Sequence, residues 1–448
     1  MSYPVYEEMQ DSGVEWLKDT PRHWNVQRLK FSCQINPPKS EVVLLSSQLS
    51  VSFLPMEKVG TEGELELDTT RPLESVLQGF TYFRNGDVIV AKITPCFENG
   101  KGALCRNLVN NIGFGSTEFH VLRSQSGYWQ KFIYYITRSH PFRSIGTALM
   151  QGSAGQKRVQ DEFIQDFTIA WPPLAEQQRI AAFLDTKTAE IDELIALKEQ
   201  QVALLQRKRM ALISRAVTKG LDPHTPMRDS GIDWLGEVPE EWKSICLKYL
   251  AHIKYGLGQP PAQLDGGLPL LRATNIYRGN ITTDDLMLVD PDEVPHTRDP
   301  ILRTNDIIVV RSGVYTGDSA IISPEYDGAV AGYDMVVRVK KANARYVAYS
   351  LLSIPLLENQ INVFRMRAAQ PHLNAEELGN CILFIPSHKI QNEIVDYLDH
   401  ETAHIDSLVA TIQEQVAKLR TYRQALITAA VTGKIDVRSV DISDPVEE

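Results

Sequence analysis

Two stretches of the chain carry apolar residues at alternating steps of three and four, and the two stretches resemble each other. The first lies between Pro172 and Gly220 and contains no Gly or Pro from Thr186 to Ala216. This spacing is typical of one face of a long helix and not of a strand. The stripe consists of Leu184, Ile191, Ile195, Val202, Leu205, Leu212 and Ala216, with Thr188, Lys198 and Arg209 in the same phase.

The second stretch repeats this pattern about 214 residues later. Its stripe consists of Leu398, Thr402, Ile405, Val409, Ile412, Val416, Leu419, Arg423, Leu426 and Ala430. Either copy alone is also consistent with a helix packed on its own small domain. Because each stripe offers the other an equal partner, we predict an intramolecular coiled coil, antiparallel if an approximate twofold axis relates the copies. At about 1.5 Å per residue, Thr186 to Ala216 spans roughly 46 Å, which suits a spacer.

A second repeat lies upstream of each helix. Asp11 to Lys30 and Asp229 to Lys248 share Asp-Ser-Gly, Trp-Leu, Pro, Trp and a closing Leu-Lys. The shared tryptophans are Trp16 and Trp24 in the first copy and Trp234 and Trp242 in the second. We expect them to be apolar anchors where each segment docks. Stacking on nucleic-acid bases is the alternative.

Each entry segment is followed by a body of different sequence. In both bodies an Asp-led apolar run, at Asp87 or Asp306, ends in a basic residue, Lys92 or Arg311. Strand-like and helix-like segments alternate, so we predict a mixed α+β chain with two α/β bodies. The expected boundaries are a body over 1–171, a helix over 172–220, a body over 221–385, a helix over 386–434, and an acidic, disordered tail over 435–448.

The composition is that of an ordinary globular protein, with 448 residues, 43% hydrophobic and 23% charged. No signal peptide or long apolar window is present, which favours a cytoplasmic protein. The five cysteines lack any CxxC pair, so a disulfide framework or zinc site is not expected. A net charge of −10 opposes DNA binding, unless local basic patches or partner subunits neutralise phosphates.

Polar, partly basic segments precede both long helices, at Met150 to Phe163 and Phe364 to Leu378. They combine side chains that can read base edges with small residues that allow close approach. Ordinary solvated loops are the alternative. The candidate DNA-binding residues are Ser153, Gln156, Lys157 and Arg158 in the first body and Arg365, Arg367, Gln370, His372 and Asn374 in the second. A further set consists of Lys92, Thr94, Arg272, Asn275, Arg311 and Ser312.

Catalytic motifs are incomplete. The sequence Asn-Pro-Pro-Lys at 36–39 has lysine where amino-methylating DNA enzymes need an aromatic residue to stack a flipped base. Gly113 and Gly115 lack the glycine-rich turn that opens a cofactor-binding helix. The acidic residues from Asp290 to Glu293 lack the trailing Glu-x-Lys of a nuclease. We therefore expect no catalytic centre, cofactor site or metal site on this chain.

With both repeats in view, the chain resembles the specificity subunit of type I restriction–modification systems. The resemblance covers nearly the whole chain. Departures are Ser387-His-Lys-Ile in place of Pro-Leu-Ala-Glu, and Lys18 where glycine is usual. The residues that carry it are Pro172-Pro-Leu-Ala-Glu-Gln-Gln-Arg-Ile180, Phe183-Leu-Asp185, Ile191-Asp192, Tyr397-Leu-Asp399, Ile405-Asp406, Trp16-Leu and Trp234-Leu.

The resemblance implies that each body is a target recognition domain for one half of a split double-stranded DNA sequence. It implies two methyltransferase subunits docked along the helices, and restriction subunits that join for cleavage. S-adenosylmethionine, ATP and Mg²⁺ are then expected on those partners and none on this chain. The roughly 46 Å spacer corresponds to about 13 base pairs. The alternatives are a self-contained DNA methyltransferase and a coiled-coil scaffold that does not bind DNA.

Overall fold

The computed structural model describes residues 3–153, 155–295, 299–365 and 371–441. The chain forms two compact units. Unit 1 comprises Met1–Lys198 and Glu414–Glu448, and unit 2 comprises Glu199–Gln413. Both divisions fall inside long helices, so each unit contains a segment of both helices.

Unit 1 contains two four-stranded sheets, with strand orders β6-β5-β10-β7 and β4-β11-β8-β9, and two two-stranded ribbons, β1-β2 and β12-β3. Strands β5 and β10 are parallel, whereas β11 is antiparallel to both β4 and β8. The strands are β1 (Met9–Asp11), β2 (Asp19–Pro21), β3 (Asn25–Arg28), β4 (Cys33–Ile35), β5 (Ser50–Leu54), β6 (Thr70–Pro72), β7 (Thr81–Arg84), β8 (Val88–Ala91), β9 (Gly102–Leu104), β10 (Ile112–Gly115), β11 (Phe119–Ser124) and β12 (Thr168–Trp171).

The short helices of unit 1 are α1 (Gln130–Arg138), α2 (His140–Ala148) and α3 (Asp161–Asp166). Apolar side chains of α1 and α2, such as Phe132, Ile136 and Phe142, share one core with the long-helix residues Phe183 and Leu184. Burial of this face explains why these short segments are helical here.

Unit 2 repeats this architecture with its own sequence. Its sheets have the orders β16-β24-β21-β22 and β20-β17-β23, with ribbons β13-β14, β15-β25 and β18-β19. The strands are β13 (Met227–Asp229), β14 (Glu237–Pro239), β15 (Lys243–Cys246), β16 (Ala251–Tyr255), β17 (Gln263–Leu271), β18 (Ile276–Tyr277), β19 (Asn280–Ile281), β20 (Met287–Val289), β21 (Ile307–Val309), β22 (Ser319–Ile321), β23 (Val330–Ala331), β24 (Met335–Val339) and β25 (Ile382–Ile385).

The long helices are α4 (Leu174–Lys219) and α9 (His388–Val431). At about 1.5 Å per residue they measure roughly 69 and 66 Å. The shorter helices of unit 2 are α5 (Ala344–Leu351), α6 (Ile354–Leu356), α7 (Asn362–Arg365) and α8 (Ala375–Asn380). Every position of the two predicted stripes, Lys198 included, is buried or half-buried.

The two long helices run antiparallel within each unit. In unit 1, Arg423 Nη2 donates to Asp192 Oδ2 at 3.0 Å, and Lys198 Nζ donates to Gln415 Oε1 at 2.7 Å. A step forward along α4 therefore matches a step backward along α9. In unit 2, the ion pair between Arg209 and Asp406 measures 3.1 Å. The expected antiparallel pairing is present in each unit.

These ion pairs are reciprocal. Asp192 and Asp406 occupy equivalent places in the two repeats, as do Arg209 and Arg423. The aspartate of the first repeat meets the arginine of the second in unit 1, and the roles are exchanged in unit 2. Each unit therefore joins the two helices through the same pair of residue types, drawn from opposite repeats.

The entry-segment tryptophans differ in burial. Trp24 and Trp242 are buried, as expected for anchors, and Trp24 Nε1 donates to Glu176 Oε1 at 3.1 Å. Trp16 stacks on Phe167 with ring centroids 5.0 Å apart. Trp234 is 39% exposed, so it anchors its segment less completely.

The start of the tail differs from the expectation of disorder. Val437 is buried in the core of unit 1, and Ile435 and Val440 pack against that core. The Asp436 backbone N–H donates to Pro4 O at 2.8 Å. These apolar residues are spaced closely enough to cover the end of α9, which explains the order of 435–440. The remaining tail residues, 442–448, lie outside the described residues.

Candidate nucleic-acid interface

Two short backbone segments meet beyond the end of β8 in unit 1. The Val159 N–H donates to Lys92 O at 2.8 Å, and the Thr94 N–H donates to Lys157 O at 3.0 Å. We call residues 92–94 and 157–159 ladder 1. A turn leads into it, because the Gln151 and Arg158 backbones also pair. The structure thus brings the first-body candidates together.

The candidate side chains at ladder 1 are unequally available. Ser153, Gln156 and Lys157 are exposed at the turn, whereas Arg158 is committed to an acid. Arg158 Nε and Nη2 donate to Glu118 at 2.9 and 2.8 Å, in a two-pronged ion pair. The Arg158 hydrogen bond lowers the pKa of Glu118 below its usual value. The Arg158 charge is therefore largely neutralised in the protein.

The same backbone arrangement occurs in unit 2. The Leu373 N–H donates to Arg311 O at 2.8 Å, and the Gly313 N–H donates to Pro371 O at 3.2 Å. Ser312 and His372 form a bridge, as Ile93 and Arg158 do in ladder 1. We call residues 311–313 and 371–373 ladder 2. It brings His372 next to Arg311 and Ser312, which lie in an earlier segment of the sequence.

The two ladders share their backbone and differ in their side chains. Lys92 occupies the place of Arg311, and Arg158 the place of His372. The acid beside each ladder differs as well. In unit 1 the Lys92 N–H donates to the backbone of Glu118, whereas in unit 2 the Arg311 N–H donates to the Asp334 side chain at 3.1 Å. The backbone arrangement is therefore duplicated, whereas the side chains that it carries differ between the two units.

Asp334 is buried beneath ladder 2, with 2% of its surface exposed. Burial raises the pKa of Asp334 to about 6, against smaller opposing effects of the hydrogen bond and charge of Arg311. Its second oxygen, Oδ2, has no protein hydrogen-bond partner among the described residues.

Asn275 has a structural role. Its side chain is buried, and its amide donates to Thr282 O at 3.2 Å and Asp284 O at 3.0 Å. It also accepts from the Arg272 N–H, while Arg272 Nη2 donates to Asp285 O at 2.7 Å. These contacts hold a loop, so Asn275 is not presented to a base.

Asn374 caps helix α8. Its side chain accepts from the Glu377 N–H at 2.9 Å, and Glu377 accepts from the Asn374 N–H at 3.0 Å. This reciprocal capping box fixes the helix start. Of the other second-body candidates, Arg365 ends α7, and Arg367 and Gln370 lie outside the described residues.

Sequence reasoning missed the tyrosines around ladder 2. Tyr255, Tyr277, Tyr315 and Tyr333 are exposed, and the Tyr277 and Tyr315 rings lie 6.2 Å apart, edge to face. Only Tyr315 carried a local signal, because it lies between Gly313 and Gly317, just after Ser312. The others reach this surface from separate strands and turns.

The lysine that broke the Asn-Pro-Pro-aromatic motif has its own partners. Lys39 Nζ donates to Leu77 O at 3.0 Å and to Phe80 O at 2.6 Å, and burial lowers its pKa. Within the described ranges, no group of three or more His, Cys, Asp or Glu side chains is arranged to hold a metal ion. No helix in the described part of the chain combines the length and apolarity required to cross a membrane.

A polar cavity is also duplicated. In unit 1 a cavity of about 780 Å³ lies against α4, and in unit 2 a cavity of about 240 Å³ has the corresponding lining. In each, a tyrosine hydroxyl donates to an α4 or α9 aspartate at 2.7 Å, through Tyr135 and Asp185 or Tyr349 and Asp399. The cavity of unit 1 is lined by Lys131, Tyr135, Asp185, Thr188, Ala189, Asp192 and Arg423. The residues at equivalent places in the two repeats line the cavity of unit 2, and they are Arg345, Tyr349, Asp399, Thr402, Ala403, Asp406 and Arg209.

The family model described as "Type I restriction modification DNA specificity domain" matches residues 56–204 and 239–418, well over half of the chain. The chain belongs to this family. Each match includes the core of one body and part of one long helix, so the family model recognises both repeats.

Two relatives in the family match over more than two thirds of their length. The specificity subunit of the type I restriction enzyme EcoAI, from Escherichia coli, is 39% identical over 465 residues, covering 85% of this chain and 78% of that protein. The EcoKI specificity subunit, from Escherichia coli strain K12, is 22% identical over 332 residues, covering 70% of this chain and 68% of that protein.

A solved structure shares the fold. It is described as "Structural basis underlying complex assembly and conformational transition of the type I R-M system". Its matching chain has a TM-score of 0.68 at 18% identity, covering 92% of this chain and 98% of that chain. The prediction of a mixed α+β specificity-subunit fold with an internal repeat is confirmed.

Proposed function

We propose that this type I specificity subunit reads a split DNA target, with ladder 1 contacting one half-site and ladder 2 the other. The observation that carries this proposal is the duplicated backbone framework with unlike side chains. Because the two backbone frameworks are alike, each ladder can take an equivalent position on its own stretch of duplex. Because their side chains differ, each ladder can recognise a different base sequence. Polar and basic groups beside a glycine-bearing backbone are the donors that base edges require.

The acidic balance of the chain fits a shared neutralisation of phosphates. The net charge of −10 opposes binding to DNA, and Glu118 further compensates Arg158. Phosphate contacts supply much of the affinity of DNA-binding proteins. We infer that methyltransferase subunits of the same complex provide many of these contacts, while this chain selects the sequence.

The duplicated cavities support docking of two copies of one methyltransferase subunit. Because the same polar residues recur 214 positions apart, each unit offers a partner the same chemistry. Exposed leucines also lie on the long helices, Leu194 and Leu197 in unit 1 and Leu204 and Leu408 in unit 2. Exposed leucines on long helices are suited to packing against helices of a partner.

The remaining parts of the proposal follow from this division of labour. This chain is a non-catalytic subunit, and restriction subunits join the complex it nucleates. S-adenosylmethionine, ATP and Mg²⁺ bind to the partners, where methyl transfer and cleavage take place. The complex works in the cytoplasm, where bacterial and archaeal DNA lies.

Methylome sequencing of a host with and without this protein tests the proposal. We expect a two-part methylated motif that is present only with the protein. In the Gln156→Ala, Lys157→Ala double variant, the motif should relax at one half and persist at the other. Gln125→Ala, an exposed change just beyond the far end of β11, is the matched control and should leave the motif intact.

Three outcomes contradict the proposal. A motif that changes in both halves with the ladder 1 variant would show that the ladders do not read separate half-sites. Methylation by this chain alone, with S-adenosylmethionine and no partner, would make it a self-contained methyltransferase. If the complex with its methyltransferase shows no salt-dependent DNA binding, the chain is a scaffold.

A further inference from the structure

Arg311 occupies an unusual position at ladder 2. Its guanidinium carbon lies 4.5 Å from the centre of the Tyr255 ring and 4.3 Å from that of Tyr333. Both tyrosines remain at the surface, with 38% and 47% of their areas exposed. Arg311 Nη2 donates to His372 Nε2 at 3.1 Å. The guanidinium plane is therefore held by two rings and one hydrogen bond.

The charge of Arg311 is not compensated in the way that other ordered arginines are. Arg123 donates two bonds to Asp87, and Arg338 donates two to Asp306. In the part of the chain that the structure describes, no such carboxylate fork is formed by Arg311. The acid beside it, Asp334, accepts from the Arg311 backbone N–H instead.

The surroundings leave room for a ligand. Gly313 follows two residues later with φ +87°, and a Cβ built on it would meet no atom of the described residues within 4 Å. The contact with His372 uses one hydrogen of Nη2. The second hydrogen of Nη2 and both hydrogens of Nη1 provide a pair of parallel donors, which suits an acceptor with two neighbouring atoms.

We propose that Arg311 reads a guanine in the half-site contacted by unit 2, by donating to its O6 and N7 atoms. In this assignment, which rests on the proposed function, Tyr255 and Tyr333 are positioning residues that fix the guanidinium plane. A bidentate arginine on guanine is the commonest specific contact in the major groove. A fixed plane matters for this contact because both donors must meet the base edge together, whereas a phosphate accepts many approaches.

Ladder 1 supports this assignment by contrast. Lys92 takes the place of Arg311 there, and a lysine is a point charge without a planar pair of donors. The half-site read by unit 1 then has different base chemistry at the corresponding position. An asymmetric two-part target is the expected result.

The test uses the complex of this protein with its methyltransferase, on duplexes in which each base pair of both half-sites is replaced in turn. The wild-type complex should prefer guanine at one position of the unit 2 half-site by about 10- to 100-fold. Arg311→Gln should abolish that preference and leave the unit 1 half-site unchanged. Arg311→Lys keeps the charge, and it should recover binding without recovering the full preference.

Two further variants separate positioning from general binding. Tyr333→Phe keeps the ring and should keep the preference, whereas Tyr333→Leu should reduce it at the same base. Arg278→Gln is the matched control, since Arg278 is an exposed arginine that contacts Tyr277 on the same unit. Its loss should leave the guanine preference unchanged. Thermal melting of each variant checks that it is folded.

The assignment is overturned if Arg311→Gln weakens every sequence evenly and flattens the salt dependence, because that pattern indicates a phosphate contact. It is also overturned if folded Arg311→Gln protein keeps the wild-type motif, or if the altered position is not a guanine. If the proposed function itself is wrong, the result differs, because the wild-type complex would then select no two-part site at all.

Discussion

Glu118 is predicted to hold back DNA binding at ladder 1. Its two oxygens accept from Arg158 at 2.8 and 2.9 Å, so that the arginine reaches DNA already paired with a negative charge. Glu118→Gln removes the charge and preserves the side-chain shape. Arg158 then becomes available to a phosphate, and we expect tighter and more salt-sensitive binding.

The magnitude follows from counterion release. One additional phosphate contact steepens the plot of log K against log salt by about 0.9. Between about 50 and 200 mM salt, this corresponds to a further loss of roughly 3.5-fold in affinity. Because the pKa of Glu118 is lowered by Arg158, the wild-type carboxylate stays charged near neutral pH and one pH suffices for the comparison.

Fluorescence anisotropy of a labelled duplex, measured with the assembled methyltransferase complex over a salt series, gives both slopes. Glu162→Gln is the matched control, because it removes an exposed acid of the neighbouring helix α3. The Glu118→Gln, Arg158→Ala double variant should return to the wild-type slope, since it removes both charges of the pair. The reasoning is refuted if Glu118→Gln has the same slope as wild type, or the same slope as the control.

Three predictions concern stability, each measured by urea denaturation. Lys18 has φ +56°, where its repeat counterpart Gly236 has φ +69°, so Lys18→Gly should stabilise unit 1 by about 1 kcal/mol; an unchanged midpoint contradicts this. Burial raises the pKa of Asp334 from 3.8 to about 6, so the free energy of unfolding should fall by about 3 kcal/mol as the pH rises from about 4 to 6. Asp334→Asn should remove this loss, and a wild-type curve as flat as the variant's would exclude it. A double-mutant cycle on Asp192 and Arg423 should give a coupling of about 0.5–1 kcal/mol, because the aspartate is 43% exposed; strictly additive effects would mean that the pair contributes nothing.

The long helices were predictable because their signal is local and periodic. A stripe of apolar residues every three or four positions requires no knowledge of distant segments, and the stripe from Leu184 to Ala216 lies within α4. Its duplication also predicted the antiparallel pairing in each unit. The Asp192–Arg423 and Arg209–Asp406 pairs join equivalent positions of the two repeats.

The ladders were only partly predictable. Polar segments before each helix were visible, but the pairing of 92–94 with 157–159 joins parts of the chain that share no pattern. A polar side chain is available to DNA only if its neighbours in the fold do not bind it, and the sequence does not reveal those neighbours. The Asn275 side chain is hydrogen-bonded to loop carbonyls, and the Arg158 side chain is paired with Glu118. The packing of 435–440 was missed because the tail has as many acids as apolar residues, and its composition does not reveal that Val437 lies in the core of unit 1.

The discontinuous make-up of unit 1 sets the order in which the protein can be completed on the ribosome. Unit 2 is one continuous stretch, Glu199–Gln413, whereas unit 1 lacks its α9 segment until synthesis passes Glu414. At about 5–20 residues per second, the first body waits roughly 10–40 s with the apolar face of α4 uncovered. The later-made unit therefore finishes first, and the nascent first body is the stage at which this chain is most vulnerable to aggregation and most in need of chaperones.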